Sequence, residues 1–179
     1  MNLNTKGNGR VPLLDPAEGP ELELANRIRA ERGGKMLNLY RTLMHSTAFA
    51  EGWLTLLSAV RNHSSLPASL RELIILRVAQ LNDASYEYEV HLPIGIKAGI
   101  SQEQIDAMAQ WQDASVFSDG ERAVLQLTDV MTREIKVGDD IYDAAALHFS
   151  EQEMVEIAVT VSAYNMVSRF LEAMHIDPE

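Results

Sequence analysis

The chain has 179 residues, of which 46% are hydrophobic, 23% are charged and only 6% are aromatic; its formal net charge is -11 and its pI is near 4.9. A surface with this excess of acidic groups repels nucleic acid and anionic membranes, so we expect neither as a partner. The absence of cysteine excludes a disulfide framework, a Cys-based metal site and thiol catalysis.

The sequence shows no targeting or membrane-spanning pattern. The first residues lack the apolar core of a signal peptide, and no stretch approaches the roughly 20 apolar residues that a membrane span needs. The sequence therefore predicts a cytoplasmic protein.

The predicted elements begin with an extended polar arm at residues 1–19, and a single helical domain over residues 20–179 follows. In the first half of that domain, apolar residues recur at helical spacing between glycine, proline and serine breaks. This pattern predicts helices over residues 20–32, 36–45, 48–61 and 68–81. The last of these is almost entirely apolar, which is typical of a helix that is buried in a core or in an oligomer.

The second half contains three Ser-x-x-Glu/Gln capping boxes, which begin at Ser101, Ser118 and Ser150. Asn82-Asp83 predicts a break before a further helix that ends at Gly99, although Pro93 is expected to kink it. Residues 111–117 are interpreted as a loop, and another helix is expected near 141–148. Because no convincing alternating strand pattern is present, the chain is predicted to be all-α, with about eight helices.

Candidate catalytic residues lie on the two central helices. Glu87 and His91 are four residues apart, so their side chains share one helix face, and Glu72 lies on the preceding apolar helix. A carboxylate beside an imidazole can tune it to give or take a proton near neutral pH. Tyr86 could donate its hydroxyl to a substrate oxygen, or simply pack against its neighbours.

Less specific interpretations remain open for the same residues. Glu87 and His91 would be unremarkable as an exposed i,i+4 pair. Glu72, a charge among apolar residues, needs a partner, and Arg71, Arg77 or Arg169 could form a salt bridge with it. The pattern also lacks the paired histidines of a zinc-binding His-Glu-x-x-His motif, so we predict no metal.

The central block resembles the carboxymuconolactone decarboxylase and alkylhydroperoxidase-D superfamily. The resemblance rests on residues 71–79, 86–91 and 99–101, with weaker support from 149–153 and 164–170. It implies an all-helical, alkylhydroperoxidase-D-like fold, self-association as trimers or as hexamers built from trimers, and a pocket for a small-molecule substrate beside the central motif.

The resemblance also shows where this chain departs from its relatives. In the peroxidase branch, Glu72 and His91 match the motif glutamate and histidine, but the two motif cysteines fall on Ala84 and Glu87. Neither residue can form a sulfenic acid or a disulfide, so the peroxidase cycle cannot run here. The decarboxylase branch keeps the histidine and carries an acid at the position of Glu87, whereas Glu72 departs from its pattern.

Our hypothesis is a lyase-like enzyme that needs no cofactor and catalyses a decarboxylation or a proton shift on a small organic acid or lactone. His91 would be the general acid or base, and Glu87 would tune it or share its proton. Glu72 would position the pair, and Tyr86 would bind substrate. The alternatives are an alkylhydroperoxidase-like antioxidant protein, which the lack of cysteine disfavours, and a non-catalytic helical oligomer that binds a ligand.

Overall fold

The structure, a computed structural model, describes residues 9–179; the part of the predicted arm at residues 1–8 lies outside that range. The described residues contain nine α-helices and no strand. The all-α prediction is therefore confirmed, with one helix more than expected. Contacts divide the chain into two compact units, one comprising residues up to His63 with Phe170–Glu179 and the other Ser64–Arg169.

The first unit contains three helices and the end of the last one. Its elements are α1 (Gly19–Glu31), α2 (Asn38–Leu43) and α3 (Thr47–Ser58), and a π-helical turn (Ala59–His63) directly continues α3. Residues 9–18 form no helix. In this unit α3 packs against both α1 and α2.

The second unit carries all of the candidate catalytic residues. Its elements are α4 (Ala68–Leu81), α5 (Ser85–Ala98), α6 (Gln102–Ala107), a 3-10 helix (Met108–Asp113), α7 (Asp119–Arg133), α8 (Asp139–Ala146) and the part of α9 (Glu151–Met174) up to Arg169. Helix α4 packs against α5 and α7, and the run Leu73–Leu76 is fully buried. The apolar sequence of α4 is therefore explained by burial within one chain.

The three predicted capping boxes form as expected. Ser101 and Ser118 each accept a hydrogen bond from the backbone N–H three residues later, and the side chains of Gln104 and Glu121 return the contact. Ser150 does the same with Glu153 at the start of α9. These boxes set the starting residues of α6, α7 and α9.

One local prediction was wrong in part, and the predicted end of α5 is confirmed. Residues 108–113, partly assigned to a loop, form a 3-10 helix whose indole, Trp111, is buried. Pro93 lies inside α5, and the helix continues past it to a left-handed Gly99 at φ 110°. Proline removes one backbone donor, yet α5 runs as one helix from Ser85 to Ala98.

Gly95 allows α5 to approach α4 closely at the level of Glu72. A Cβ at this position would lie 3.0 Å from Cδ1 of Ile100, 3.1 Å from Cδ1 of Leu76 and 3.6 Å from Cβ of Glu72. Gly95→Val should therefore lower the free energy of unfolding by about 1–3 kcal/mol through overpacking. Gly52→Ala in α3, where nothing lies within 4 Å, is the control and should be neutral or stabilising. Equal effects of both variants in urea unfolding would contradict this account.

Glu156 on α9 holds the loop that leads into α4. It accepts hydrogen bonds from the side chain of Gln152, the hydroxyls of Ser64 and Ser65, and the backbone N–H of Ser65. These bonds, led by that from Gln152, lower the pKa of Glu156 from its ordinary value of 4.5 to about 2. A carboxyl whose pKa falls on folding stabilises the protein above its unfolded pKa, and loses that contribution as pH falls towards its folded pKa.

We therefore expect Glu156→Gln to be less stable than wild type near neutral pH. The difference should shrink as pH falls from 4.5 towards 2, because the wild-type carboxylate is protonated over that window. Urea unfolding of both proteins at a series of acid pH values measures this difference in the free energy of unfolding. A difference that stays constant with pH would assign the loss to packing instead.

Candidate active site

A tight turn brings α5 back along α4. Asn82 ends α4, Asp83 adopts a left-handed conformation at φ 54°, and Ala84 immediately precedes α5. Aspartate tolerates this conformation better than most residues because its short side chain can bond locally. The turn places α5 beside α4.

Glu72 and His91 form a direct contact between α4 and α5. Nδ1 of His91 lies 2.7 Å from Oε2 of Glu72, and the two side chains are 5% and 3% exposed. Next to an ionised carboxylate, Nδ1 carries a hydrogen and donates it, which leaves Nε2 as the atom that can exchange a proton. The contact with Glu72 therefore sets the tautomer and the orientation of the His91 ring.

The side chain of Glu87 is as deeply buried as those of Glu72 and His91. It contacts a residue that the sequence analysis did not identify. The hydroxyl of Ser168 on α9 donates to Oε2 of Glu87, and Ser168 is completely buried. Glu87 lies in the first turn of α5, where the helix dipole favours a negative charge. The interpretation of Glu87 and His91 as an exposed pair is wrong, because both side chains are buried.

Tyr164, one turn before Ser168 on α9, packs against the imidazole. Its ring centroid lies 5.1 Å from that of His91, with the planes at 89°. Two consecutive turns of α5 thus meet two consecutive turns of α9 in an antiparallel register, with Glu87 on Ser168 and His91 on Tyr164. Tyr86 is buried at the start of α5, and its substrate-binding role remains a prediction.

Of the three arginines proposed as salt-bridge partners of Glu72, one lies near it and two have other partners. Only Arg71 is close: its Nε lies 3.8 Å from Oε1 of Glu72, too far for a hydrogen bond. Arg77 instead forms a buried, two-pronged pair with Asp129 on α7, with both N–O distances at 2.6 Å. Arg169 donates to Asn165 at 2.8 Å. Pairing of Glu72 with Arg77 or Arg169 is therefore wrong.

Two further findings concern residues 9–179 only. No group of three His, Asp or Glu side chains in that range is arranged to hold a metal ion. None of its helices is both long enough and apolar enough to cross a membrane.

Known structures share this fold. The AhpD core of a peroxidase-related protein from Ralstonia eutropha JMP134 superposes with a TM-score of 0.81 at 16% identity, over 98% of this chain and 94% of that one. A complex of the debrominase Bmp8, as a cysteine-to-alanine variant, with 2,3,4-tribromopyrrole gives a TM-score of 0.78 at 19% identity, over 93% and 90%. The fold is therefore of the all-helical AhpD-like class.

Sequence comparison points to the same group. The profile of the Carboxymuconolactone decarboxylase family matches residues 47–130, a range that includes Glu72, Tyr86, Glu87 and His91. YdfG, an uncharacterized protein of Bacillus subtilis strain 168, is 27% identical over 113 residues, 62% of this chain and 77% of that protein. Just under half of the chain thus matches the Carboxymuconolactone decarboxylase family, and the fold is AhpD-like, in agreement with the resemblance of the central block.

Proposed function

We propose that this protein is an enzyme that needs no cofactor and uses acid–base chemistry on a small organic acid, lactone or related carbonyl compound. Loss of carbon dioxide with delivery of a proton to carbon, or a shift of a proton between carbons, fits the site best. The observation that carries the proposal is the buried contact of 2.7 Å between His91 and Glu72 in a chain without cysteine.

In this proposal His91 moves the proton. Glu72 accepts from Nδ1 and stabilises the imidazolium when His91 takes up a proton at Nε2. Burial strengthens this stabilisation, because few water molecules screen the pair. The edge contact with Tyr164 restricts the orientation of the ring.

Glu87 would share the transferred proton with His91. Its contact with the hydroxyl of Ser168 suits that role. A hydroxyl can donate to a carboxylate or accept from a carboxylic acid. Ser168 also lies 2.9 Å from the carbonyl oxygen of Tyr164, so its hydrogen has a second acceptor when Glu87 is protonated. Both protonation states of Glu87 can then be accommodated without moving either helix.

The structural relatives support a small cyclic substrate but not a thiol mechanism. Bmp8 in this fold is complexed with a brominated pyrrole, a small ring compound. The Bmp8 variant in that complex has alanine in place of a cysteine, whereas this chain contains no cysteine at all. A Cys-dependent peroxidase cycle is accordingly disfavoured.

A screen for carbon dioxide release tests the proposal. Lactone carboxylates and β-keto acids are offered to wild type and to His91→Ala, and isomerisation is followed in parallel by proton exchange with deuterated water. We expect turnover of at least one class that depends on His91. Turnover that survives in His91→Ala would exclude His91 from the mechanism, and turnover of none of the compounds by wild type would favour a ligand-binding helical oligomer.

A further inference from the structure

The first unit contains a cavity of about 420 Å³. Its described walls come from the arm at residues 9–18, from α2 and α3 with the residues that join them, and from the last turns of α9. The candidate catalytic residues all belong to the second unit, so none of them lines this cavity. Small-molecule sites usually have volumes of roughly 300–1,000 Å³, and the cavity is within that range.

Three aromatic side chains line the cavity. Trp53 on α3 and Phe170 on α9 have ring centroids 5.1 Å apart, with the ring planes inclined at 58°. Phe49, one helical turn before Trp53, also lines the cavity and is 67% exposed. Covering such a ring with an apolar group is favourable, and aromatic rings pack well against the faces and edges of others. The walls therefore favour a ligand with an aromatic ring.

The described part of the lining carries no carboxylate, ammonium or guanidinium group. Nine described residues line the cavity, and none of them is Asp, Glu, Lys or Arg, although 23% of the chain is charged. A charged ligand would lose its hydration in this cavity without gaining a countercharge. The lining therefore favours a neutral ligand.

The polar groups of the lining are confined to one short stretch, residues 42–46. Thr42 is buried there, at 4% exposure. Ser46 occupies the N-cap position of α3, where a serine oxygen usually accepts a backbone hydrogen bond, but its side chain makes no such bond. Nε2 of His45 lies 2.8 Å from the carbonyl oxygen of Pro12, so Nε2 carries the hydrogen and Nδ1 of the neutral ring is an acceptor. This stretch therefore offers a ligand hydroxyl both donors and acceptors.

Backbone hydrogen bonds hold the wall that the arm contributes. The N–H of Arg10 donates to the carbonyl oxygen of Met174 at 3.0 Å, and the N–H of Leu14 donates to that of Arg41 at 3.2 Å. Val11, which lines the cavity, lies between these two anchors. A wall that is anchored on both sides needs little further ordering when a ligand binds, so the site is preorganised.

We propose that this cavity binds a small neutral aromatic molecule that carries a hydroxyl group, a ligand of the phenol class. Its ring packs against Phe49 and Trp53, and its hydroxyl lies at residues 42–46. Phenols ionise at a pH of about 10, so they enter the cavity uncharged near neutral pH. This binding requires no reaction at His91, and it stands or fails separately from the proposed function.

Calorimetric titration with three related compounds tests the ligand class. The compounds are para-propylphenol, para-propylanisole and para-propylbenzoate, which share the ring and the propyl group. We expect wild type to bind the phenol. The anisole should bind about 3- to 10-fold more weakly, because it has no hydroxyl hydrogen to donate. The benzoate should bind at least about 10-fold more weakly than the phenol, because its carboxylate finds no countercharge.

Variants assign the binding to this cavity. Phe49→Ala should weaken binding of the phenol by about 10-fold through loss of a ring contact, and its exposed position predicts a folded protein. Leu56→Ala, on the same helix but outside the described lining, is the control and should bind like wild type. The double variant His45→Leu/Ser46→Ala should reduce the preference for phenol over anisole to less than about 2-fold. Any loosening of the arm would weaken both ligands alike.

Tryptophan emission gives a second readout. The chain has two tryptophans, and Trp111 is buried in the second unit. Binding of the phenol should therefore change the emission of Trp53, and Trp53→Phe should abolish that change while still binding the phenol. This readout also decides the matter if Phe49→Ala does not fold.

Four results would overturn the assignment: no binding of the phenol by wild type, equal affinity for phenol and benzoate, undiminished affinity in Phe49→Ala, or an emission change that persists in Trp53→Phe. Equal affinity of wild type for phenol and anisole would reject the role of residues 42–46. If wild type binds no phenol and its self-association, measured by sedimentation, is lost in Phe49→Ala, the cavity is instead a contact between copies of the chain.

Discussion

Replacing His91 with glutamine should lower turnover by about 10²- to 10⁴-fold, the usual contribution of a positioned proton donor or acceptor. Glutamine can still donate an amide hydrogen to Glu72, so the buried carboxylate keeps a partner and the protein should remain folded. What glutamine cannot do is exchange a proton near neutral pH. The variant therefore separates proton transfer from the structural role of the contact.

The measurement is kcat and KM on the substrate that the screen identifies, with circular dichroism as a check of the fold. His148→Gln is a matched control, because His148 is an exposed histidine of the same unit. We expect the control to behave as wild type. A His91→Gln enzyme with undiminished kcat would show that the imidazole does not carry the proton.

Arg77→Met should lower the free energy of unfolding by about 3–5 kcal/mol, the largest stability effect that we expect in this chain. Arg77 and Asp129 are 3% and 5% exposed, and removing the guanidinium leaves a buried carboxylate without its countercharge. Arg77 also donates to Gln80 and to the backbone carbonyl of Met108, and Trp111 donates to Asp129 at 3.3 Å. The pair therefore joins α4, the 3-10 helix and α7.

A double-mutant cycle tests this interpretation. Asp129→Leu alone should be about as destabilising as Arg77→Met, whereas the double variant should recover most of the loss, because no unpaired charge remains buried. Lys97→Met removes an exposed cation of the same unit that has no contact with the pair, and it serves as the control. Strictly additive losses in urea unfolding would indicate that the two side chains stabilise the fold independently.

Local features of the fold could be predicted from the sequence because they depend on nearby residues. The three capping boxes place a serine three residues before a Gln or Glu, and each begins a helix. Gly99 ends α5 because a left-handed conformation suits glycine. Helix α4 was predicted at its observed bounds, from Pro67 at its start to the polar break after Leu81.

Partners distant in sequence could not be predicted in the same way. Arg77 and Asp129 are 52 residues apart, and Glu87 and Ser168 are 81 residues apart. Helix periodicity identifies a buried face but does not say which helix covers it. Ser168 did leave a faint signal, since a small hydroxyl four residues after Tyr164 in an apolar helix suggests a buried hydrogen bond.

The paired turns of α5 and α9 have a consequence for how the protein can adapt to new ligands. Sliding one helix past the other by a single turn would separate His91 from Tyr164 and Glu87 from Ser168 at the same moment. The two contacts therefore specify the same register, and together they hold Glu87 and His91 in place relative to α9. Changes in ligand preference are then expected to arise by exchanging surrounding side chains on an unmoved backbone.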